Sequence, residues 1–540
     1  MTPTRPNLVL FMTDQQRADS IGAFGNAHAR TPHIDALAAR GMRFTQAYGQ
    51  HPACSQSRIS MMTGWYPHVA GHRTLDHLLQ PWEPNLLRTL RSAGYFVAWP
   101  GVRGDTFAPG VTEASTDFHG FTVSPSVEAL AAGHAEGFPD GHRLRNSFLI
   151  GRLEGRDLLT PDEAAVRTAI ELLDGGLPEP FVLLVTLLAP HPPFAVEEPW
   201  ASLHDPADMP PPIPPADGKP GFMPELRSRA GLDQLEPGDW AEIAAIYAGM
   251  VSRLDDQFGR VVAAIERAGV ADRTTTVFHT DHGEYLGDFG LVEKWPSGLD
   301  DCLLRNPLVI AAPGGVEGAA SSALVEMLDL PVTLCELAGV DMGHAHFGRS
   351  LVPLLRDPTQ AHRDAVFSEG GFRIDEAAQN EMPERFPYLL KGALQQERPD
   401  LVGRAIAVRT QEWTYVHRLY EADELYDRVA DPHETTNLAT RPSMADTCHA
   451  LRDRLLDWLV STSDVIPPVR DPRMEPELVA QLLGETRSDL PAPRSSPPGT
   501  ATGSSGLQLD GDRQRPLPPL GEIAVVPRLV LGEDHRPGGL

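Results

Sequence analysis

Three short apolar runs, each followed by polar residues, constrain the fold of this chain more than any other feature. They span residues 7–12, 181–188 and 274–279, a length typical of strands that are buried on both faces. Helical patterns lie between them, including 161–173 and 239–268. Alternating buried strands and helices predict a doubly wound α/β sheet, whose ligands bind at the carboxyl ends of the strands.

Side chains that bind metals or transfer protons follow each of these runs. Asp14 and Gln15 come soon after the first, His191 lies just beyond the second, and Asp281 and His282 follow the third. Carboxylate and amide oxygens and imidazole nitrogens are suitable ligands for one divalent cation. Taken singly, Asp14 is as easily a helix cap and Asp281 a turn residue. Their common position at strand ends favours a metal site.

The composition divides the chain into three parts. Residues 1–380 carry the α/β pattern and are predicted to form the catalytic domain. Within them, the stretch 203–238 is rich in Pro and Gly and predicts a long loop or lid over the cleft. Residues 485–540 are rich in Pro, Gly and Ser and are predicted to be mostly disordered, with 523–531 able to dock as a strand.

Residues 381–484 are predicted to form a small α+β subdomain. The pattern indicates strands at 404–408 and 413–419, a turn at 424–427, and a helix at 443–460 with Ser443 as its N-cap. This subdomain is expected to complete the enzyme.

The charge balance excludes several classes of partner. Lys and Arg number 46 against 73 Asp and Glu, which gives a formal net charge of −27. Such a chain repels polyanions, so we expect neither nucleic acid nor a membrane surface as a partner, whereas a local cluster of cations can still bind a small anion. No long apolar run predicts a membrane span, and the N-terminal residues lack the apolar core of a signal peptide. We therefore expect a cytoplasmic enzyme. Homo-oligomers are compatible with this surface.

Cysteine and lysine are both rare. The four cysteines form no CxxC pair, so neither a disulfide framework nor a zinc ribbon is indicated. Lysine occurs at positions 219, 294 and 391 alone, so a lysine within a motif is informative.

The segment around Cys54 carries the strongest functional signal. Cys54 is predicted to start a helix, with Arg58 one turn later. A helix N-terminus and a guanidinium together stabilise negative charge at residue 54, whether a thiolate, an alkoxide or a bound oxyanion. A lone cysteine is otherwise most often a buried structural residue.

These motifs resemble the sulfatase family of the alkaline phosphatase superfamily, over residues 5–470. Cys54 and Arg58, followed by Thr63 and Gly64, are similar to the family signature Cys-x-Pro-x-Arg, although Gln56 stands where the family has Pro. Further stretches that resemble the family, in the same order, are 11–17, 189–194, 280–287 leading to Lys294, 328–334, 348–351 and 424–427.

The resemblance implies a fold and a cofactor set. The fold would be an alkaline-phosphatase-like sheet sandwiched by helices, with the smaller C-terminal α+β subdomain. Cys54 would be oxidised to formylglycine by a formylglycine-generating enzyme, a transient partner. One divalent cation, Ca²⁺ first and Mn²⁺ or Mg²⁺ as alternatives, would be held by Asp14, Gln15, the residue-54 side chain, Asp281 and His282.

The resemblance also implies a mechanism for hydrolysis of a small-molecule sulfate ester. A hydroxyl of the hydrated formylglycine would attack sulfur, expel the alcohol and leave a covalent hemiacetal ester, which then collapses to release the inorganic anion. Arg58 would orient the nucleophile. His191 and Lys294 would bind substrate oxygens and assist the leaving group, and His72, beside Arg73, is a secondary candidate at the rim of the cleft.

One departure from the family bears on the substrate. Arylsulfatase-like members have Gly-Lys-x-His where this chain has Gly-Val-Arg-Gly at 101–104. Phosphonate monoester and phosphodiester hydrolases of the same superfamily also lack that Lys and His, and they use an Asp-His pair at the metal. Three hypotheses therefore stand: a sulfatase, a phosphonate monoester or phosphodiester hydrolase with the same machinery, and a catalytically silent relative that binds an anion.

Overall fold

A mixed β-sheet lies at the centre of this computed structural model, which describes residues 5–101, 104–126, 137–156, 158–383 and 386–466. Within these ranges the sheet has nine strands in the order β10-β2-β9-β8-β1-β6-β3-β4, with β11 beside β2. The described strands are β1 (Asn7–Thr13), β2 (Met42–Tyr48), β3 (Phe96–Trp99), β4 (Phe118–His119), β5 (Leu149–Arg156), β6 (Phe181–Thr186), β7 (Phe194–Glu198), β8 (Thr274–Thr280), β9 (Arg305–Ala311), β10 (Ala319–Ser321), β11 (Val325–Glu326), β12 (Val366–Gly370), β13 (Ala405–Arg409), β14 (Trp413–Arg418) and β15 (Glu424–Asp427).

Helices cover both faces of the sheet, and two apolar clusters of buried side chains pack against it. The described α-helices are α1 (Pro32–Arg40), α2 (Cys54–Thr63), α3 (Pro67–Ala70), α4 (Leu86–Ser92), α5 (Val111–Ser115), α6 (Pro161–Asp174), α7 (Phe222–Ala230), α8 (Pro237–Arg267), α9 (Asp301–Leu304), α10 (Asp329–Ala338), α11 (Val352–Arg356), α12 (Leu389–Glu397) and α13 (Ala445–Thr462). The predicted α/β class is confirmed. None of the helices in the described ranges combines the length and apolarity needed to cross a bilayer.

The three apolar runs are neighbouring strands of this sheet. β1 pairs in parallel with β6 and with β8, and all three are buried along their length. The register places Thr13 opposite Thr280 and Met12 opposite Thr186. The residues that follow these strands therefore emerge at one edge of the sheet. β9 runs antiparallel to both β8 and β2, so the sheet is mixed.

The stretch 203–238, predicted to be one long loop, contains the helix α7 and the first residues of α8. Phe222 and Met223 are buried, and the Phe222 ring stacks on Trp295 with 5.4 Å between centroids. The high Pro and Gly content hid these apolar anchors, whose burial fixes the helix in place. The loop prediction is therefore wrong for residues 222–230.

A second, antiparallel sheet has the order β12-β13-β14-β15. Its first strand begins at Val366, before the predicted boundary at 381. The predicted turn at 424–427 is wrong, because these residues form β15 with Leu425 and Tyr426 buried. The final helix begins at Ala445 and Ser443 lies in a preceding 3-10 turn, so Ser443 is not its N-cap. Residues 485–540, with the predicted docking strand, lie outside the described residues, as do Val102 and Arg103 of the stretch 101–104.

Candidate active site

Cys54 is the first residue of α2, a helix whose residues are all buried. The residue before it, Ala53, has an extended backbone with φ −130° and ψ 153°, so the helix begins at the cysteine itself. Sγ of Cys54 lies 3.3 Å from Nε2 of His282 and 3.7 Å from Oδ1 of Asp14. The positive end of the helix dipole is therefore adjacent to the residues that follow β1 and β8.

Four of the five predicted metal ligands form one cluster, which we call the Cys54 cluster. One donor atom from each of Asp14, Cys54, Asp281 and His282 lies within 4.8 Å of all the others, and all four side chains are buried. The sheet register explains this convergence, because Asp14 and Asp281 directly follow the paired residues Thr13 and Thr280.

The state of His282 suits a metal ligand. Its Nδ1 lies 2.9 Å from the carbonyl oxygen of Gly283, and a carbonyl only accepts, so Nδ1 carries the proton and Nε2 a lone pair. Burial lowers the pKa of His282 to about 4, which keeps the ring neutral at pH 7. Nε2 is 3.8 Å from Asp14 and 3.9 Å from Asp281, too far for hydrogen bonds. Two carboxylates and a neutral imidazole that share a space without bonding one another fit a divalent cation.

Arg58 forms ion pairs with both carboxylates of this cluster. Its Nε donates to Oδ2 of Asp281 at 2.7 Å and its Nη2 to Oδ2 of Asp14 at 2.8 Å, with all three side chains fully buried. Burial raises the pKa of Asp281, but the charge of Arg58 outweighs it and holds that pKa well below its usual range. The Oδ1 atoms of both carboxylates remain on the side of Cys54. Arg58 therefore contacts the ligands, and its third contact is Asp105 at 3.3 Å.

Gln15, the fifth predicted ligand, lies next to the cluster in a left-handed backbone conformation with φ 62°. This turn lets its backbone N–H donate to Oδ1 of Asp281 at 3.0 Å. Its side-chain oxygen accepts from Nζ of Lys294 at 2.6 Å, and its amide group donates to Glu284. Its oxygen thus joins the cluster to the lysine.

Lys294 and His191 lie together, as the resemblance implied. Nζ of Lys294 is 3.0 Å from Nε2 of His191 and 2.8 Å from the carboxylate of Glu293. Nδ1 of His191 donates to the carbonyl of Pro192 at 2.6 Å, so its Nε2 accepts from the ammonium. Burial lowers the pKa of Lys294, but nearby negative charge, including Glu293, outweighs this and raises it, so the lysine stays protonated.

A second lysine shares the carboxylate of Glu293. Nζ of Lys391, on α12, lies 2.7 Å from Glu293, which is itself almost fully buried. Burial raises the pKa of Glu293, but the ammonium groups of Lys294 and Lys391 outweigh it and lower that pKa to about 2. Sequence reasoning missed Asp105, Glu284, Glu293 and Lys391. The last three had a weak signal, since Glu284 lies within the stretch 280–287, Glu293 directly precedes Lys294, and lysine is scarce.

His72 is not brought into the Cys54 cluster. Its Nδ1 is 2.8 Å from the carbonyl of His77 and its Nε2 is 3.1 Å from Glu83, both in its own loop. These two contacts occupy both ring nitrogens. The structure gives His72 a role in shaping this loop.

Three comparisons place the chain among known proteins. A family model described as Sulfatase matches residues 6–340. The chain therefore belongs to the sulfatase family, within the alkaline phosphatase superfamily, and is a sulfatase-like hydrolase, as the sequence motifs predicted. It is 28% identical over 511 residues to a multifunctional alkaline phosphatase superfamily protein, PehA, of Trinickia caryophylli, covering 85% of this chain and 96% of that one.

Other relatives include both sulfatases and a phosphonate hydrolase. The human N-sulphoglucosamine sulphohydrolase is 28% identical over 500 residues, covering 85% of this chain and 90% of that protein. The crystal structure of a phosphonate monoester hydrolase of Agrobacterium radiobacter is similar with a TM-score of 0.67 at 25% identity, covering 85% of this chain and 96% of that one. The alkaline-phosphatase-like fold is thus confirmed.

Proposed function

We propose that this protein hydrolyses sulfate esters of small molecules at the Cys54 cluster, with residue 54, oxidised to formylglycine, as the nucleophile. The observation that carries the proposal is the convergence of Asp14, Cys54, Asp281 and His282 within 4.8 Å at the start of α2. Membership in the sulfatase family supports the reaction class.

The state of the Cys54 thiol supports its oxidation. Burial raises the pKa of Cys54 to about 12, so in the absence of a bound cation the unmodified thiol is protonated at pH 7 and is a poor nucleophile. The helix N-terminus and Arg58 do not offset that burial. We therefore propose that a formylglycine-generating enzyme acts transiently on this residue.

We propose that a divalent cation, Ca²⁺ first, is held by Asp14, Asp281, His282 and the side chain of residue 54, with Gln15 adjacent. When bound, such a cation lowers the pKa of a hydroxyl that contacts it and stabilises negative charge on the ester oxygens. The role of Arg58 is to keep both carboxylates ionised and aimed at residue 54 through their outer oxygens.

Lys294 and His191 are proposed to act on the leaving group. The three hydrogens of the Lys294 ammonium point to Gln15, Glu293 and Nε2 of His191. A sulfate oxygen can replace one of these acceptors, since it accepts hydrogen bonds as they do. A proton held between Lys294 and His191 can then pass to the oxygen of the departing alcohol.

A second candidate function is hydrolysis of phosphonate monoesters or phosphodiesters with the same residues. It is favoured by the likeness to the Agrobacterium radiobacter phosphonate monoester hydrolase and by the Asp281-His282 pair in the cluster. Sulfate and phosphonate monoesters are similar tetrahedral anions, so one arrangement of Lys294 and His191 can serve either.

The deciding experiment combines mass spectrometry with a substrate screen. Protein made in a host that has the converting enzyme is analysed across residues 51–58, where we expect the mass of the aldehyde or its hydrate at residue 54. The same sample is assayed with 4-nitrophenyl sulfate, a phenylphosphonate monoester and a phosphodiester, with Cys54→Ala as the inactive variant and Cys335→Ala as the buried-cysteine control. An unmodified thiol, or equal activity of Cys54→Ala, would contradict the proposal.

A further inference from the structure

A second polar group lies beside the Cys54 cluster and has no part in the reaction described above. It consists of His51, Arg73 and Arg404 with the carboxylates of Glu369 and Glu376, and we call it the arginine cluster. Three separate parts of the chain build it: the loop before α2, the loop at 71–75, and the second sheet with the turn that follows β12.

His51 is fully buried and has an unused donor. Its Nδ1 accepts the backbone N–H of Ala53 at 3.1 Å, so the ring proton is on Nε2. Nε2 has no hydrogen-bond partner among the described residues. Burial lowers the pKa of His51 to about 3. The negative charge of Glu369 raises this pKa, whereas the positive charges of Arg404 and Arg73 lower it further. The ring is therefore a neutral donor, and it follows Gln50, whose carbonyl oxygen accepts the backbone N–H of Glu369 at 2.9 Å.

Each arginine also keeps one buried nitrogen without a partner. Arg73 donates to Glu376 through Nη1 at 3.0 Å and Nη2 at 2.8 Å, and its Nε has no partner in the described part of the chain. Arg404 pairs with Glu369 through Nη2, while its Nη1 is likewise unsatisfied there. Burial lowers the pKa of Arg404; the carboxylate of Glu369 acts against this, and the positive charge of Arg73 adds to it.

The arginine cluster is joined directly to the nucleophile helix. Nε2 of Gln56 donates to the carbonyl oxygen of Arg73 at 3.1 Å, and Oγ of Ser55 donates to that of Leu75 at 3.3 Å. A proline at position 56, as in the family signature, has no side-chain donor for this bond. Gln56, two residues after Cys54 on α2, therefore ties the nucleophile helix to the Arg73 loop.

Buried donors without partners are costly, and two of these three belong to guanidinium groups, which bind a charged acceptor most strongly. Glu369 and Glu376 balance the charges of the two arginines, but they do not bond to these three nitrogens. Both arginine side chains are 18% exposed, so solvent reaches part of each of them. We propose that Arg73 and Arg404, with His51, form a subsite for a second anionic group carried by the alcohol part of the substrate. This inference rests on the proposed ester hydrolysis at the Cys54 cluster and narrows its substrate class to esters of anionic alcohols.

The test compares two sulfate esters that differ in one charge, 3-carboxyphenyl sulfate and 3-carbamoylphenyl sulfate. For the metal-loaded, oxidised enzyme we expect kcat/KM to favour the carboxylate by about 10-fold to 100-fold, mainly through KM. The variants Arg73→Gln and Arg404→Gln should each bring this ratio close to one. Arg91→Gln is the control, because Arg91 is a partly exposed arginine that pairs with Asp117 at 2.9 Å, and should keep the wild-type ratio.

Binding measured without turnover separates this inference from the proposed function. We expect 3-hydroxybenzoate, but not 3-hydroxybenzamide, to raise the thermal midpoint of the wild type and of Arg91→Gln, and to leave that of Arg73→Gln unchanged. If Arg404→Gln fails to fold, Arg73→Gln alone decides the test. We expect Arg73→Gln to fold, because Glu376, the partner of Arg73, is 20% exposed and stays hydrated. Binding without hydrolysis of either ester would overturn the proposed function and support the subsite. Hydrolysis with no charge preference would overturn the subsite, and neither binding nor hydrolysis would overturn both.

Discussion

The Nε atom of Arg58 donates to Oδ2 of Asp281 over 2.7 Å, and neither side chain is exposed to solvent. The same guanidinium reaches Asp14 at 2.8 Å. The single positive charge of Arg58 thus faces two buried carboxylates. The net negative charge that remains lies on the side of Cys54. A bound divalent cation would balance that charge. Arg58 therefore both stabilises the folded chain and positions the carboxylates for the metal ion.

Replacing Arg58 with Met is expected to lower the free energy of unfolding by about 3–5 kcal/mol, because it leaves two buried carboxylates without their cation. Ca²⁺ should restore part of this loss, since it binds the folded state alone. The measurement is thermal unfolding with Ca²⁺ and with chelator. The difference between these two conditions should be larger for Arg58→Met than for the wild type.

Arg253→Met is the matched control for that experiment. Arg253 is also a largely buried arginine, and it pairs with Glu197 at 2.6 Å away from the cluster. Its replacement should cost stability that Ca²⁺ does not restore beyond the wild-type response. An equal Ca²⁺ response in both variants would argue against a cation at Asp14 and Asp281.

Replacing Asp281 with Asn is expected to abolish turnover. The substitution removes one charged oxygen from the cluster and one acceptor from Arg58, and a loss of several kcal/mol of charge stabilisation corresponds to a fall in kcat/KM of about 10³-fold or more. Asp239→Asn is the control. Asp239 is also a buried aspartate in an ion pair, with Arg143 at 2.8 Å, but its role is to cap α8. Steady-state assays of both variants, together with their metal content, test this prediction. If Asp281→Asn retained activity, Asp281 would not belong to the catalytic site.

Replacing Lys294 with Met should lower kcat by about 10²–10⁴-fold, because the leaving alcohol loses its proton source. Lys219→Met is a close control, since the Lys219 side chain is 3% exposed and pairs with Asp300 at 2.7 Å. Both variants should lose stability in thermal unfolding, while the loss of kcat should be confined to Lys294→Met. A Lys219 variant as inactive as the Lys294 variant would assign the effect to folding.

Asp255 should make stability depend on pH between about 4 and 6. It accepts the backbone N–H groups of His33 and Ile34 at the start of α1, and burial raises its pKa from 3.8 to about 6. The folded state therefore holds this proton more tightly than the unfolded state, so the contribution of Asp255 to stability is greatest below pH 4 and is lost as the pH rises through 6. Relative to Asp255→Asn, the wild type should lose about 2–3 kcal/mol between pH 4 and pH 7 in urea unfolding. A constant difference between the two proteins would show that Asp255 titrates normally.

The sequence predicted the strand ends well because apolar runs and their polar ends are local features. Asp14, Asp281 and His282 lie at the sheet edge where the pattern placed them, and Lys294 was found because the chain has so few lysines. The prediction of a long loop at 203–238 was wrong over α7, where the buried contact of Phe222 with Trp295 outweighs a composition rich in Pro and Gly.

Other features had no local signal. His72 was predicted at the rim of the cleft on its position beside Arg73, but its ring is engaged by His77 and Glu83. Glu293 joins Lys294 to Lys391 across 97 residues of chain, and no spacing rule predicts such a contact. Tyr426 was assigned to a turn because a four-residue strand at the edge of a small sheet is too short to show a period.

By itself, the sequence determined the α/β class, the helix start at Cys54 and the residues able to bind a cation, because these follow from periodicity, capping and side-chain chemistry. The tertiary structure alone decided which of them meet. It turned Arg58 toward two carboxylates, left His72 in its own loop, and brought together the segments that carry His51, Arg73 and Arg404. Such contacts depend on how distant segments pack, and the free energy that fixes them comes from burial and charge pairing that exist in the folded chain alone.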